Sequence, residues 1–454
     1  MKQVHFIGIG GYSMSGLALL LHGQGYRVTG SDMKRSSRTE RLEEAGIPVY
    51  YEHRPEWIQG QDLVVYNTDV SPDNAERREA EHQGVRLLHR SEILAEALLP
   101  YKAITVSGTH GKTTTTTMIG TILQHQGLDP TVLVGGEVPQ FKGNLLVGKG
   151  AYAVAEADES DGTFLRYRPM VAVATNVEPE HLDHFGGSFE RLVAAFEEYL
   201  AKVPPSGLAV IGIDNAILRQ IGERLSVPVA GYGISDDAMV RARDVTTSAK
   251  GTTFTLEVEG RVQGQAELRV PGIHNVVNAL GALTAAHHVG VPWVDGIESM
   301  REFTNAARRF QVLFDGPSRV VDDYAHHPTE IQSTLRAARQ VTSGRVLALF
   351  QPQRYVRTKN LWQDFVESFS DADELYLTDI YAPPGEPIIP GVTGAALAHA
   401  VSERQGKDVY FYSDMMGAIE PILLDLQPGD TLITMGAGNV YQVAEIIADQ
   451  LRSR

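Results

Sequence analysis

Short apolar runs alternate with helix-like segments along most of the chain. In the first region the runs are VHFIGI, YRVTG, DLVVYNT and VRLLH, and SGLALLLHGQG and RTERLEEAG lie between them. Such runs read as strands, and their alternation with helical segments predicts a parallel sheet wrapped by helices. The pattern restarts at Tyr101, where KAITV leads through a glycine loop into a threonine-rich helix. Strand-like runs follow at AYAVAEAD and PMVAVATNV, and a helix is predicted from Phe189 to Leu200. From Val240 to Val270 the pattern alternates in period two over much of its length, which predicts a small antiparallel appendage. GIHNVVNALGALTAAHHVG returns to helix. A third set of strands begins near Ala307, at SRVVDDYA, RVLALFQP, ELYLTDI and DTLITMGAG. The expectation is an α/β chain of three domains over residues 1–99, 100–306 and 307–454. No internal repeat, low-complexity tract or Ser/Pro/Gly-rich linker marks the boundaries.

Composition narrows the classes. The 454 residues allow two to four domains, and 43% apolar content lets each build a core. A net charge of −16 argues against a nucleic-acid surface, which needs clustered positive charge. An anionic small molecule is still allowed, because a few local donors suffice to hold a phosphate. The absence of cysteine removes disulfides, thiolate metal sites and cysteine nucleophiles. The N-terminus MKQVHFIGIGG reads as a buried first strand and not as a signal peptide. No window approaches the roughly 18 apolar residues of a membrane span, so no membrane insertion and a cytoplasmic location are expected.

Two glycine loops carry the first chemistry. Gly8-Ile9-Gly10-Gly11-Tyr12-Ser13 follows a strand and opens a helix, a place where backbone N–H groups face a pyrophosphate. Asp32 ends the next strand, where a dinucleotide fold keeps its ribose-binding acid. Ser13 stands where the third glycine of that fingerprint belongs, with a further glycine at Gly16. Ser107 to Thr115 reads SGTHGKTTT. Gly108, Thr109, Gly111, Lys112, Thr113 and Thr114 form a candidate ATP-phosphate set. Lys112 reaches phosphate oxygens and Thr113 ligates Mg²⁺. The loop is shorter than a Walker loop, with Val106 in the place of its first glycine.

Two acidic segments follow strands. Glu156, Asp158, Glu159 and Asp161 crowd into EADESD, and four acids at a strand end are costly to place together without a cation. Mg²⁺ is the natural partner. In NVEPEHLDH, His181 beside Glu180 and Asp183 reads as an active-site edge.

In order and wording these motifs resemble the Mur ligase family. The motifs are GIGGYSMSG, SGTHGKTTT, EADESD, TNVEPEHLDH, GIHNVVN, AARRF, DDYAHHP, FQPQRYVRT and GAGNV. The resemblance spans essentially the whole chain. It implies a Rossmann-like first domain that binds a UDP-sugar and a central P-loop ATPase domain. A Rossmann-like last domain would close over the site and receive an amino acid. It implies ATP-dependent amide formation between the carboxylate of UDP-N-acetylmuramate and the amine of L-alanine, through an acyl phosphate. Gly10, Gly11, Met14 and Ser15 match the UDP-sugar pocket. Glu156 and His181, with Thr113, match the metal site. His274, Asn275 and Asn278 match the motif for adenine and phosphates. Arg309 matches a phosphate-contacting arginine and Asp323 the residue at the ATP ribose. Lys112, His326, Arg354 and Arg357 match catalytic positions, the last three at the amino-acid end.

Two departures and one further likeness bear on the branch. Gln353 stands where alanine-adding members usually have histidine. The helix from Phe189 to Leu200 has no lysine, whereas later ligases of the pathway carry a carbamylated one there. This favours the first, alanine-adding step. The segment TDIYAPPGEPIIPGVTG also resembles that branch, with one extra proline. Competing readings are a tripeptide-recycling ligase of the same family, an NAD-dependent dehydrogenase resting on Gly8, Gly10 and Asp32, and a nucleotide-binding regulatory protein. The sequence leaves the oligomeric state, monomer or homodimer, open.

Overall fold

The computed structural model describes residues 2–453 except Lys142, Asp161, His181, Ala249 and Pro384. The chain forms two compact units. One comprises Met1–Arg243, Thr255–Ala266 and Val277–Thr304, the other Asp244–Phe254, Glu267–Val276 and Asn305–Arg454.

The first unit opens with a five-stranded parallel sheet. Its strands are β1 (Gln3–Ile7), β2 (Arg27–Ser31), β3 (Val49–Tyr50), β4 (Leu63–Tyr66) and β5 (Arg86–His89), in the order β3-β2-β1-β4-β5. Helices α1 (Tyr12–Gly23), α2 (Ser37–Glu44), α3 (Ala75–Gln83) and α4 (Arg90–Leu98) connect them. The strand order reverses at β1, so a crevice opens beyond the carboxyl ends of β1 and β4. Local signals start the helices. Ser36 and Thr39 close a capping box on α2, and Asn74 caps α3.

A ten-stranded sheet follows. Its first half contains β6 (Lys102–Ser107), α5 (Lys112–His125), β7 (Thr131–Val138), β8 (Gly143–Leu146), β9 (Tyr152–Glu156) and β10 (Val171–Ala174). The second half contains α6 (Phe189–Ala201), β11 (Leu208–Gly212), α7 (Ala216–Arg224), β12 (Val229–Gly233), β13 (Val240–Ser248), β14 (Gly251–Val258) and β15 (Arg261–Leu268), then α8 (Ile273–His288) and α9 (Trp293–Ser299). The order is β15-β14-β13-β12-β11-β10-β6-β9-β7-β8. The strands from β12 through β6 to β7 pair in parallel, and β8 pairs antiparallel with β7. β6 has no exposed flank and no polar residue but threonine and serine beyond Lys102, as a central parallel strand requires.

The period-two stretch is β13, β14 and β15, which extend this sheet and leave β12 with a partner on both sides. β14 and β15 are adjacent and joined by Glu259 and Gly260 alone, at φ 47° and 74°. A two-residue link with both residues left-handed makes a tight antiparallel hairpin. Gly16 brings α1 down on β7 and β8. A Cβ there would lie 2.8 Å from both Leu133 and Asn144. That glycine therefore serves packing of helix on sheet.

The second unit holds a six-stranded sheet. Its elements are β16 (Gln311–Asp315), β17 (Arg319–Asp323), α10 (Pro328–Val341), β18 (Val346–Phe350), α11 (Tyr355–Asn360), α12 (Trp362–Glu367), β19 (Glu374–Thr378), α13 (Gly394–Gln405), β20 (Val409–Tyr412), α14 (Ile419–Asp425), β21 (Thr431–Met435) and α15 (Tyr441–Arg452). The order is β16-β17-β21-β18-β19-β20, parallel except for β16 against β17. Each face has its own core. Ile331, Leu335 and Ala338 of α10 join Phe350, Phe365 and Phe369, while Val443, Ala444 and Ile447 of α15 join Leu347 and Leu432. Among the described residues, no helix is long and apolar enough to cross a membrane.

Candidate active site

The first glycine loop sits in the crevice beyond β1. Gly8 and Ile9 donate backbone hydrogen bonds to Ser31 O at 2.8 and 2.9 Å. Gly10 N donates to Asp32 Oδ2 at 2.8 Å, and Arg38 Nε donates to Gly10 O at 2.6 Å. A side chain at Gly10 would meet Asp32 and Thr39 at 2.8 Å. Asp32 therefore faces its own loop, where it braces the turn.

Gly10 and Gly11 line a groove of about 740 Å³ with Asp32, Arg38, His53 and Asn67. Ser15 lines a smaller adjoining pocket of about 120 Å³ with Tyr12, Arg38, Arg41 and Asn144. Its hydroxyl donates to Tyr12 O at 3.0 Å. Met14 does not line the groove as expected. It is 1% exposed in the core, packed against Gly11, because it falls on the apolar face of α1.

A buried polar network supports this loop through Ser31. Ser31 Oγ donates to Glu76 Oε2 at 2.6 Å and shares a 2.9 Å hydrogen bond with His53 Nδ1. His5 lies 3.5 Å from the same carboxylate. Burial raises the Glu76 pKa, but hydrogen bonds from His5, His53 and Ser31 outweigh it and hold the carboxyl at about 2.

The second loop links β6 to α5. Gly108 has φ +139°, and a Cβ there would collide with Thr175 Oγ1. Gly111 has φ +83° and its Cβ would come within 2.5 Å of Asn278. The segment after β10 backs the loop. His110 N donates to Asn176 Oδ1 at 2.8 Å, Thr175 Oγ1 to His110 O at 2.6 Å, and Glu178 N to Thr109 Oγ1 at 2.9 Å. Thr113 is half-buried and Thr114 buried in the first turn of α5.

Lys112 is folded onto its own loop. Its Nζ donates to Gly108 O at 2.6 Å, Thr109 O at 3.3 Å and Glu159 Oε1 at 3.0 Å. Burial pulls its pKa down, but Glu159 and Asp158 more than compensate and hold it above the usual lysine range. Burial pushes Glu159 up from the ordinary carboxylate range, against the pull of Lys112. Asp158 accepts from Ser160 N at 3.0 Å and faces Arg90 at 3.7 Å, so a cation from α4 also reaches the acids. Glu156, at the end of β9, accepts from Gly135 N at 2.6 Å. His181 and Asp161 lie outside the described residues. The pairing of Glu159 with Lys112 was not foreseen. Its only sequence signal was membership of the acid run.

Asn278, on the second turn of α8, is the member of its motif that meets the phosphate loop. Asn275 is buried and its Nδ2 donates to Pro271 O at 2.7 Å, closing the first turn of the same helix. His274 is pushed down to about 4 by burial and by Arg309, and its Nδ1 has no hydrogen-bond partner among the described residues.

In the second unit, Asp323 accepts from Phe310 N at 2.6 Å and Ala325 N at 2.7 Å, with burial raising its pKa to about 6. Both carboxylate oxygens thus hold backbone turns. The two arginines of AARRF differ. Arg308 is locked by Asp322 at 2.8 Å and by the carbonyls of Gly436 and Gly438, whereas Arg309 stands over Tyr324 and 3.7 Å from Glu330. His326 Nδ1 lies 3.0 Å from Tyr324 O and its backbone N donates to Glu330. Arg354 has φ +69°, a strained value for a residue with a side chain, and its N donates to Tyr381 O at 2.9 Å. Its side chain is half-exposed, 3.5 Å from Glu386. Arg357 Nη1 donates to Gln353 Oε1 at 2.6 Å.

Three α/β segments, two glycine loops and an acid cluster beside a loop lysine fit an ATP-dependent ligase of the Mur type. Three family models match in chain order. These are the Mur ligase family catalytic domain over residues 3–102, the Mur ligase middle domain over 106–286, and the Mur ligase glutamate ligase domain over 308–438. The chain belongs to the Mur ligase family. It is 48% identical to the UDP-N-acetylmuramate–L-alanine ligase of Symbiobacterium thermophilum, over 100% of this chain and 95% of that protein. Among solved structures, the UDP-N-acetylmuramate-alanine ligase of Thermotoga maritima superposes with a TM-score of 0.84 at 28% identity, covering 100% of both chains. The murein peptide ligase of Psychrobacter arcticus gives 0.70 at 25% identity, with 99% of each chain covered.

Proposed function

We infer that this chain joins the lactyl carboxylate of UDP-N-acetylmuramate to the amine of L-alanine, using ATP, in peptidoglycan precursor synthesis. The observation that carries the reading is Lys112 in the SGTHGKTTT loop beside the EADESD acids, in a chain similar over its whole length to alanine-adding ligases. Residues 1–99 are assigned the UDP-sugar, 100–306 ATP, and 307–454 the amino acid. A cytoplasmic location suits these substrates.

The carboxylate is a poor acylating agent, so it attacks the γ-phosphate in line and gives an acyl phosphate and ADP. The amine then attacks the carbonyl and expels phosphate. Most of the catalysis is positioning and electrostatics. Glycine N–H groups of the second loop and Lys112 hold the transferred phosphoryl group. Gly10, Gly11 and Ser15 orient the sugar nucleotide, with Met14 supporting their loop. Gly108, Thr109, Thr114, His274, Asn275, Asn278, Arg309 and Asp323 are assigned to nucleotide binding. His326, Arg354 and Arg357 are assigned to the amino acid.

The acids suit a divalent cation. Glu159 is 1% exposed and its Oε2 is buried with no hydrogen-bond partner among the described residues, a group that a hard cation would satisfy. Thr113, Glu156 and His181 are assigned to Mg²⁺, which neutralises charge on the phosphates when bound.

The test is phosphate release from ATP and Mg²⁺ with UDP-N-acetylmuramate, adding L-alanine, glycine, L-serine or the cell-wall tripeptide singly. Release that needs both the sugar nucleotide and L-alanine supports this reading. Release with the tripeptide alone would make the chain the recycling ligase, and none with any acceptor would remove the ligase reading. Arg357→Ala is expected to raise the apparent KM for the amino acid far more than that for ATP. Equal effects on both constants would detach Arg357 from the amino-acid end.

A further inference from the structure

An ammonium group has three N–H donors. In Lys112 all three are engaged within the protein, two by carbonyls of its own loop and one by Glu159 Oε1. A phosphate oxygen in the loop can accept from Lys112 only if one of these bonds is released. The two carbonyls belong to the turn that presents the lysine. Glu159 comes from a separate segment after β9, so it is the partner to be displaced.

Displacement has a cost. Glu159 is 1% exposed, and its other oxygen, Oε2, has no hydrogen-bond partner among the described residues. Without the lysine it would be a buried carboxylate with no counter-charge among the described residues, beside the like charge of Asp158. Arg90 faces Asp158 and not Glu159. The carboxylate therefore needs a second cation at the moment the phosphate takes the first.

We propose that Glu159 couples nucleotide to divalent cation: phosphate takes Lys112 from it, and the cation replaces the lysine as its counter-ion. The inference rests on the nucleotide reading above and goes beyond it, because Glu159 becomes the positioning residue that makes the two ligands bind together. Nucleotide without metal must leave Glu159 bare, and metal without nucleotide must compete with Lys112.

The experiment is calorimetric titration of the full chain with ADP, in EDTA and in Mg²⁺. In the wild type, Mg²⁺ is expected to tighten ADP by on the order of 5- to 150-fold, the usual range of site coupling. Glu159→Gln is expected to tighten metal-free ADP and reduce the Mg²⁺ effect to about threefold or less. Unchanged metal-free affinity with the full Mg²⁺ effect retained would overturn the coupling. Wild type that binds no ADP under either condition would instead overturn the nucleotide reading. A second variant guards against misfolding of the first. Lys112→Met keeps the stem and removes the charge, so Mn²⁺ alone, followed by electron paramagnetic resonance, is expected to bind it more tightly than the wild type. Equal or weaker Mn²⁺ binding would also overturn the proposal.

Discussion

The two glycine loops share a plan of strand, turn and helix N-terminus, yet they handle charge in opposite ways. The first carries no cation inside the turn. Gly10 N is tied to Asp32, and Arg38 reaches its carbonyl from α2, at the wall of an open groove. Its buried charge lies elsewhere, in Glu76, which acts on the loop through Ser31. The second loop holds Lys112 within the turn, against Glu159. The helix dipole and backbone N–H groups serve both. The difference follows from the work assigned to each. A loop that only holds a diphosphate can take its cations from exposed side chains. A loop that stabilises a phosphoryl group in transfer needs a charge placed in advance, and a charge so placed needs a counter-ion.

The two loops are expected to differ most in what loss of Lys112 does. Lys112→Ala is expected to lower kcat by at least about 10³-fold, the scale of losing a preorganised electrostatic contact, with circular dichroism unchanged. Near-normal phosphate release would place the second loop in the same class as the first. Next in size is Glu76→Gln, measured by urea unfolding. Glu76 has a carboxyl pKa near 2 against an ordinary 4.5. Its contribution is therefore fully present above pH 4.5 and is lost as pH falls toward 2. That difference corresponds to about 3 kcal/mol at neutral pH. The gap between variant and wild type should shrink at pH 3, and a gap independent of pH would show that the carboxylate charge does not support the first loop. The smallest effect is expected from Gly10→Ala. The added Cβ presses on Asp32 and Thr39 at 2.8 Å, and the tip of the Asp32 side chain, at the groove wall, can give way more readily than buried Thr39. The KM for the sugar nucleotide should rise on the order of tenfold, about 1.4 kcal/mol, with that for ATP unchanged. If both constants rise together, the loops are not independent sites.

Much of this architecture could be read before any coordinates. The strands and loops around Gly8–Gly11 and Gly108–Lys112, the helix from Phe189 and four of the six late strands, β17, β18, β19 and β21, carry local signals, whereas β16 and β20 did not show in the pattern. The apolar run ends, glycines take left-handed turns, and a helix begins. β7 and β8 were missed because glycines interrupt TVLVGGEV and GNLL, and their pairing depends on partners distant in sequence. The appendage was legible as strands but not as an extension of the large sheet, because which edge a strand covers is a tertiary choice. Met14 shows a limit of the opposite kind. Its place in the GIGGYSMSG motif marked it for the pocket, while its place on α1 turned it into the core.

Contiguous residues carry the α/β class, the family, the two glycine loops and the acid runs, because the spacing of each matches one local geometry. Which charges meet depends on the packing of segments far apart in the chain. Asp32 turns to Gly10, Glu76 to Ser31 and the two histidines, Asn278 to Gly111, and Glu159 to Lys112 across 47 positions of chain. Three acids within four positions, Glu156, Asp158 and Glu159, look alike in the sequence. They are told apart by burial and by the cation each can reach, and those depend on how separate strands are laid side by side.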